Sequence, residues 1–112
     1  MATKGFGVPE LSVDGGGSIG TIETAGGLLI DASSVGIAAT TLPQVDNSYD
    51  LGSSTKRWKN IYTTDLQLSN EGKQNDVDGT WGQWTIQEGE EDLFLINRRN
   101  GKKYKFLLEE VN

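Results

Sequence analysis

The 112 residues read as an elongated all-β chain. A Gly-rich N-terminal arm or stalk spans 1–40, a segment with one short helical turn spans 41–70, and an antiparallel β-meander spans 71–112. Three observations predict this class. Nine of the 15 glycines fall within Met1–Thr40, and the pieces between them are short and β-favouring. Residues 71–112 hold strand-like runs separated by Gly-containing turns. The hydrophobic share is only 35%, and it approaches the usual apolar fraction of about 45–50% only if glycine, which fills no core, is counted as apolar. Small domains already bury a low fraction of their surface, so a chain diluted by glycine is expected to borrow core from a neighbour.

Composition narrows the function sharply. The chain contains no His and no Cys. A Ser-His-Asp triad, a thiolate nucleophile, and a zinc, haem or iron–sulfur site built from its own side chains are therefore all excluded. What is left for catalysis is a carboxylate pair. Nothing in the spacing of the 16 acidic residues places two of them across a cleft, so a non-enzymatic protein without cofactor is expected. A net charge of −6 argues against nucleic-acid binding. No apolar stretch approaches the roughly 18 residues of a membrane span, and Met1–Gly7 lacks the apolar region of a signal peptide. The expectation is a soluble protein used without secretion or membrane insertion.

Met1–Thr40 has five charges (Lys4, Glu10, Asp14, Glu23 and Asp31) and no Trp or Tyr. The pieces Leu11–Val13, Ser18–Ile22, Leu28–Ile30 and Ser34–Ile37 predict strands of three to five residues broken by glycine. In the next segment, Pro43 and Asp46–Asp50 supply turn chemistry. Ser53 or Ser54 then caps a helix of about two turns, with Trp58, Ile61 and Tyr62 on one face and Lys56, Arg57 and Lys59 around it. Thr63–Leu68 alternates as a strand with Leu66 and Leu68 inward.

Trp81–Gln87, Asp92–Arg98 and Lys102–Leu108 form the meander, joined by Glu88–Glu91 and by Asn100-Gly101. Asn-Gly between such runs predicts a two-residue hairpin turn with φ > 0 at both residues. That register puts Phe94 opposite Leu107 and Leu95 opposite Phe106. Leu93, Leu95, Tyr104, Phe106 and Leu108 share one face; Phe94, Ile96 and Leu107 share the other. Both faces being apolar, one is expected to be covered by Trp81, Trp84 and Ile86 and the other by another chain.

Four motifs have a chemical and a structural reading. Gly15-Gly-Gly17-Ser-Ile-Gly20 spells a dinucleotide fingerprint, but Thr21–Gly27 is a poor helix, so a turn is expected. In Asn75–Gly79 an EF-hand alignment leaves Gln74 at the first ligand position and Thr85 where a bidentate Glu belongs, which favours an Asp-Gly turn over a calcium loop. Arg98, Arg99, Lys102, Lys103 and Lys105 ring the hairpin tip beside Tyr104. They can grip an anionic ligand, or pair with the acidic run Glu88–Asp92 and with Glu109 and Glu110. Trp81 and Trp84 either stack on sugar rings or anchor a core or interface. Trp81, Trp84, Arg98, Arg99 and Lys103 are thus the candidate ligand-binding residues.

The run Asp46-Asn-Ser-Tyr-Asp-Leu-Gly-Ser-Ser-Thr-Lys-Arg-Trp-Lys-Asn-Ile-Tyr62 resembles a module of bacteriophage tail fibres, tailspikes and related virion proteins, particularly those of cyanobacterial phages. Its pattern there is D-N-x-Y-D-L-G-S-x-x-x-R-W-x-x-I-Y. Every fixed position is present across the 17 residues. Asp78–Trp84 and Asn97–Tyr104 are similar to the ends of small cyanophage structural proteins. The resemblance implies an intertwined homotrimeric rod. It assigns a structural, trimer-forming role to Tyr49, Leu51, Gly52, Arg57, Trp58, Ile61 and Tyr62, and Phe94, Ile96 and Leu107 of the hairpin join them as the face awaiting a neighbour.

The resulting expectation is a phage virion protein, located on tail or capsid: a short trimeric fibre or knob subunit. Phe6, Val8, Pro9 and Leu11 would dock its arm into another virion protein. With about 40 residues before the module and 50 after it, a minimal fibre, a tail connector or a capsid decoration (cement) protein fits better than a full receptor-binding fibre. A head that binds receptor or host-surface carbohydrate is the remaining alternative.

Overall fold

The computed structural model describes residues 20–112. They separate into two units, one ending at Asp46 and the other spanning Asn47–Asn112. In the first, residues 20–46 are irregular and exposed throughout. The strands expected at Leu28–Ile30 and Ser34–Ile37 do not form. Each is too short to bury a face, and no neighbouring strand satisfies its backbone groups. The local order there is a turn in which the Thr24 hydroxyl accepts from the Gly27 N–H at 2.9 Å, with Gly27 at φ 107°. The strand expected at Leu11–Val13, the first two residues of that expected at Ser18–Ile22, and the docking residues Phe6, Val8, Pro9 and Leu11 lie outside the described residues, while Gly20, Thr21 and Ile22 are irregular.

The second unit is all-β. Four strands, β1 (Leu66–Ser69), β2 (Gln83–Glu88), β3 (Leu93–Asn97) and β4 (Lys103–Lys105), form one antiparallel sheet in the order β1-β2-β3-β4. β1 therefore joins the meander as its outer strand. No helix forms among the described residues, and the one expected after Ser53 is replaced by bends and coil over residues 53–62. Ser53 does cap, since its hydroxyl accepts from the Lys56 N–H at 3.0 Å, while its own N–H donates to the Lys56 carbonyl at 2.9 Å. That reciprocal pair closes a tight turn and engages the Lys56 carbonyl, which a continuing helix would offer to the Asn60 N–H. Helix nucleation is costly, and the stripe of Trp58, Ile61 and Tyr62 finds no surface in the unit to pack against. Gly52 is held at φ 86°, and a Cβ there would meet the Lys56 carbonyl at 3.2 Å and the Trp58 ring at 3.4 Å.

Face assignments follow from the ladder, because directly paired residues point the same way. Leu66 pairs with Ile86 and Leu68 with Trp84. Ile86 pairs with Leu95, Glu88 with Leu93, and Leu95 with Tyr104. These side chains make one largely apolar face. The opposite face carries Gln67, Thr85, Gln87, Phe94, Ile96, Lys103 and Lys105, a mixed polar surface. Trp84 and Ile86 are thus strand residues within the sheet, and do not cover the hairpin as expected. Their β2 pairs edge-on with β3, which leaves them beside Leu95 on its own face.

The hairpin register also differs from the expectation. Phe94 pairs with Lys105, Leu95 with Tyr104 and Ile96 with Lys103, a shift of two residues. The Asn97 N–H donates to the Lys102 carbonyl at 2.9 Å and the Gly101 N–H donates to the Asn97 carbonyl at 2.8 Å. With Gly101 at φ 76° and Asn100 not left-handed, this is a turn closed by a glycine bulge. The cause lies upstream of Asn-Gly. The Asn97 side-chain oxygen accepts the Arg99 and Asn100 N–H groups at 2.9 and 3.3 Å, so the chain reverses early. An even shift preserves which face each residue occupies, but it leaves Leu107 beyond the sheet.

Among the described residues, only Thr85 (0% exposed) and Ile96 (7%) are buried. They are cross-strand partners at the centre of the sheet, on the mixed face.

Candidate functional site

The antiparallel order brings the end of β1, the start of β2, the end of β3 and the start of β4 to one end of the sheet. Two loops meet there. The first, over residues 70–82, continues the ladder through Asn70, whose N–H donates to the Gly82 carbonyl at 3.3 Å and whose side-chain oxygen accepts the Gly82 N–H at 2.7 Å. The loop then closes on Asn75. Asn75 Oδ1 accepts the Val77 and Asp78 N–H groups at 2.7 and 2.9 Å, and its Nδ2 donates to Asp78 Oδ1 at 2.7 Å and to the Thr80 carbonyl at 2.9 Å. The Thr80 hydroxyl adds a bond to Asp78 Oδ1 at 2.7 Å. Hydrogen bonds from the Thr80 side chain, the Asn75 side chain and the Thr80 backbone hold the Asp78 carboxyl below its ordinary value.

Asn75–Gly79 is accordingly an Asx-type turn, with Gly79 at φ 73°. Asp78 Oδ1 is committed to the turn, and no group of three or more acidic side chains that could hold a metal ion occurs among the described residues.

The second loop is the β3–β4 turn, residues 98–101. Arg98 and Arg99 leave it in different directions. Arg98 crosses the mixed face, where its Nε donates to the Thr85 hydroxyl at 2.9 Å, and that hydroxyl donates to Gln67 Oε1 at 2.6 Å. This chain of bonds satisfies the one fully buried polar side chain among the described residues. Arg99 reaches to the first loop instead. Its guanidinium stacks 3.7 Å from the centre of the Trp81 ring, and Nη1 donates to the Trp81 carbonyl at 2.9 Å. Trp84 lies against Gly82, where a Cβ would come within 2.8 Å of the indole nitrogen, and its ring stands 5.9 Å from that of Tyr104 at 44°.

Between the loops runs an open groove of about 770 Å³. Trp81, Trp84 and Arg99 of the expected ligand-binding set line it together with Asn70, Asn75, Asp78, Thr80, Asn97 and Asn100. Arg98 and Lys103 belong to the opposite side of the sheet. The predicted basic ring is thereby divided, with Arg98 and Arg99 engaged by Thr85 and Trp81. The sequence marks Asn75 and Asn100 only as turn residues and marks none of the asparagines as a groove residue.

The structural residues are distributed differently. Tyr49, Leu51, Trp58, Ile61 and Tyr62 are all exposed, Trp58 at 65% and Tyr62 at 92%, and so is Arg57. Ile96 is buried at the sheet centre, Phe94 packs over Gly89 with a ring carbon 2.6 Å from where a Cβ would stand, and Leu107 is exposed. Comparison with protein-family models, with curated proteins and with solved structures finds no match to this chain.

Proposed function

We propose that this chain is a non-enzymatic structural subunit of a bacteriophage virion, a short fibre or knob that completes its core by associating as a homotrimer. The observation that carries the reading is exposed apolar surface. The apolar sheet face leaves Leu66 and Leu68 45% and 46% exposed, while Tyr49, Leu51, Trp58, Ile61 and Tyr62 stand in solvent in the adjoining segment. Large apolar side chains left in solvent favour association, and a symmetric assembly buries each of them in every subunit. The resemblance of Asp46–Tyr62 to a virion-fibre module names the kind of assembly, and the absence of His and Cys fits a structural role.

Light scattering of the purified protein tests the assembly directly. The expected mass is about three times the 12.1 kDa of one chain, independent of dilution over the micromolar range. A folded monomer at all concentrations refutes the homotrimer. Labelling of the tailed particle with antibody to the chain then tests the virion assignment, and absence of label from both tail and capsid refutes it.

A further inference from the structure

We infer that the two open edges of the sheet join between copies of this chain, β4 of one copy adding antiparallel to β1 of the next, with Lys103 opposite Gln67 and Lys105 opposite Asp65. This seam rests on the association proposed above and names the contact that makes it. β1 and β4 are the outer strands, so each presents a row of backbone groups with no strand beside it, and such rows template strand addition. Bonding phase, face and charge of the two edges all agree on one register.

In an antiparallel ladder, residues that bond to one neighbouring strand alternate with residues whose N–H and C=O point the other way. The Asn70 N–H donates to the Gly82 carbonyl, so Leu66 and Leu68 are the β1 residues that bond to β2, and Gln67 turns its backbone outward. The Asn97 N–H donates to the Lys102 carbonyl and the Phe106 N–H to the Leu93 carbonyl. In β4, Tyr104 therefore bonds to β3 while Lys103 and Lys105 turn outward. Asp65, one residue before β1, is in phase with Gln67; its carbonyl takes the Thr63 hydroxyl at 3.0 Å and keeps a second lone pair. Setting Gln67 against Lys103 thus opposes outward groups to outward groups. The same register matches faces, since Gln67, Lys103 and Lys105 lie on the mixed face and Leu66 then meets Tyr104 on the apolar one. Such a match needs an even number of strands, because bonding phase and face alternate together from one strand pair to the next.

Charge selects the partner edge. Within its own sheet Lys105 stands opposite Phe94 and Lys103 opposite Ile96, while the Asp65 carboxylate takes the Gln87 amide at 3.3 Å. Adding β4 to β1 puts the Lys105 ammonium opposite that carboxylate. Pairing β4 with β4 would instead set lysine against lysine, and like charges directly opposite are destabilising. The contact is therefore between unlike edges, and a contact of that kind makes a ring where its rotation closes. A ring of three turns the apolar face, with Leu66, Leu68 and Ile86, toward a shared interior.

The chain has no Cys, so introduced cysteines report this seam alone. In the double variant Gln67→Cys with Lys103→Cys, the two Cα atoms stand about 5.5 Å apart across the seam, within disulfide reach. Inside one subunit they are three strand spacings apart, about 14 Å, which a disulfide cannot bridge. Mild oxidation of the full chain should give covalent trimers on a non-reducing gel, with far less product from either single variant. Lys103→Pro blocks the same seam. It removes an outward N–H that the subunit's own sheet does not use, so the far-UV β signal should persist while the scattering mass falls about threefold. Should Lys103→Pro fail to fold, cross-linking decides alone. Covalent products longer than three chains support the seam and refute the trimer. A trimeric mass without cross-linking of the double variant, or unaltered by Lys103→Pro, overturns the seam and leaves the trimer standing. Cross-linking of a single variant as efficient as that of the double variant also overturns it, and a wild-type monomer overturns both.

Discussion

Thr85 is where the packing of this unit is most exacting, and replacing it with Val isolates one physical effect. The substitution keeps shape and volume while removing the hydroxyl that accepts from Arg98 Nε at 2.9 Å and donates to Gln67 Oε1 at 2.6 Å. A hydrogen bond to a charged group contributes about 1.5–3 kcal/mol and a neutral one about 0.5–1.5 kcal/mol. Arg98 and Gln67 are both at the surface and regain part of that from water, so the expected net loss is about 1–2 kcal/mol. In a unit of this size that lowers Tm by on the order of 10 °C. Urea and thermal unfolding at one fixed protein concentration measure it, since association would otherwise shift the midpoint. A double-mutant cycle with Arg98→Met separates the bond from generic destabilisation. Arg98→Met should cost less in the Thr85→Val background than in wild type, by about 1 kcal/mol. Unchanged stability of Thr85→Val, or zero coupling in the cycle, would refute the view that this network holds the sheet centre.

Three further outcomes follow from other parts of the unit. Gly101→Ala places a side chain at φ 76° with open space around it, so the cost is conformational, about 1 kcal/mol, and Gly101→Asn should cost less; urea midpoints of the two variants check the order. The Asp78 carboxyl should titrate below its ordinary 3.8 when followed by carbon-detected NMR. Its folded value is depressed, so it contributes stability that is present above the unfolded value and lost as pH falls through the folded one; Asp78→Asn should flatten this acid limb, and a titration midpoint at or above 3.8 contradicts the bonding described. Leu68→Glu puts a charge on the half-exposed apolar face, so it should lower the scattering mass while leaving the far-UV β signal; an unchanged mass means that this face is not the subunit contact.

Much of the sheet is legible in the sequence because strand alternation is a local property. Gln83–Glu88 and Leu93–Asn97 lie within their expected runs apart from the last residue of β2, and Leu66 and Leu68 share one face of β1, although both are exposed where the alternation predicts inward positions. The hairpin is recognisable as a hairpin, but its register is not. Asn-Gly marks a turn in either of two geometries, and the choice is made by the Asn97 side chain capturing two N–H groups ahead of it. The helix expected after Ser53 illustrates the opposite failure. A cap and an apolar stripe are both present, yet a stripe stabilises a helix only where something packs against it, and Trp58, Ile61 and Tyr62 are exposed.

The candidate groove divides in the same way. Trp81, Trp84 and Arg99 are identifiable as residue types able to bind a ligand. Asn70, Asn97 and Asn100 are not, because nothing in the spacing of Asn70 from Asn97 shows that β1 and β3 end on the same side of the sheet. Nor does spacing reveal that Arg99 stacks on Trp81 while its neighbour Arg98 turns to Thr85.

By itself the sequence determined the all-β class, the face on which each strand residue lies, and the exclusion of His- and Cys-dependent chemistry, since each depends on composition or on a period of two along the chain. Only the tertiary structure decided the register of β4, the absence of a helix at residues 53–62, the burial of Thr85 beneath Arg98 and Gln67, and the meeting of two loops around a Trp- and Asn-lined groove. Those features depend on contacts between residues distant along the chain, whose free energies are set by the geometry of strand pairing and by which polar groups find partners there.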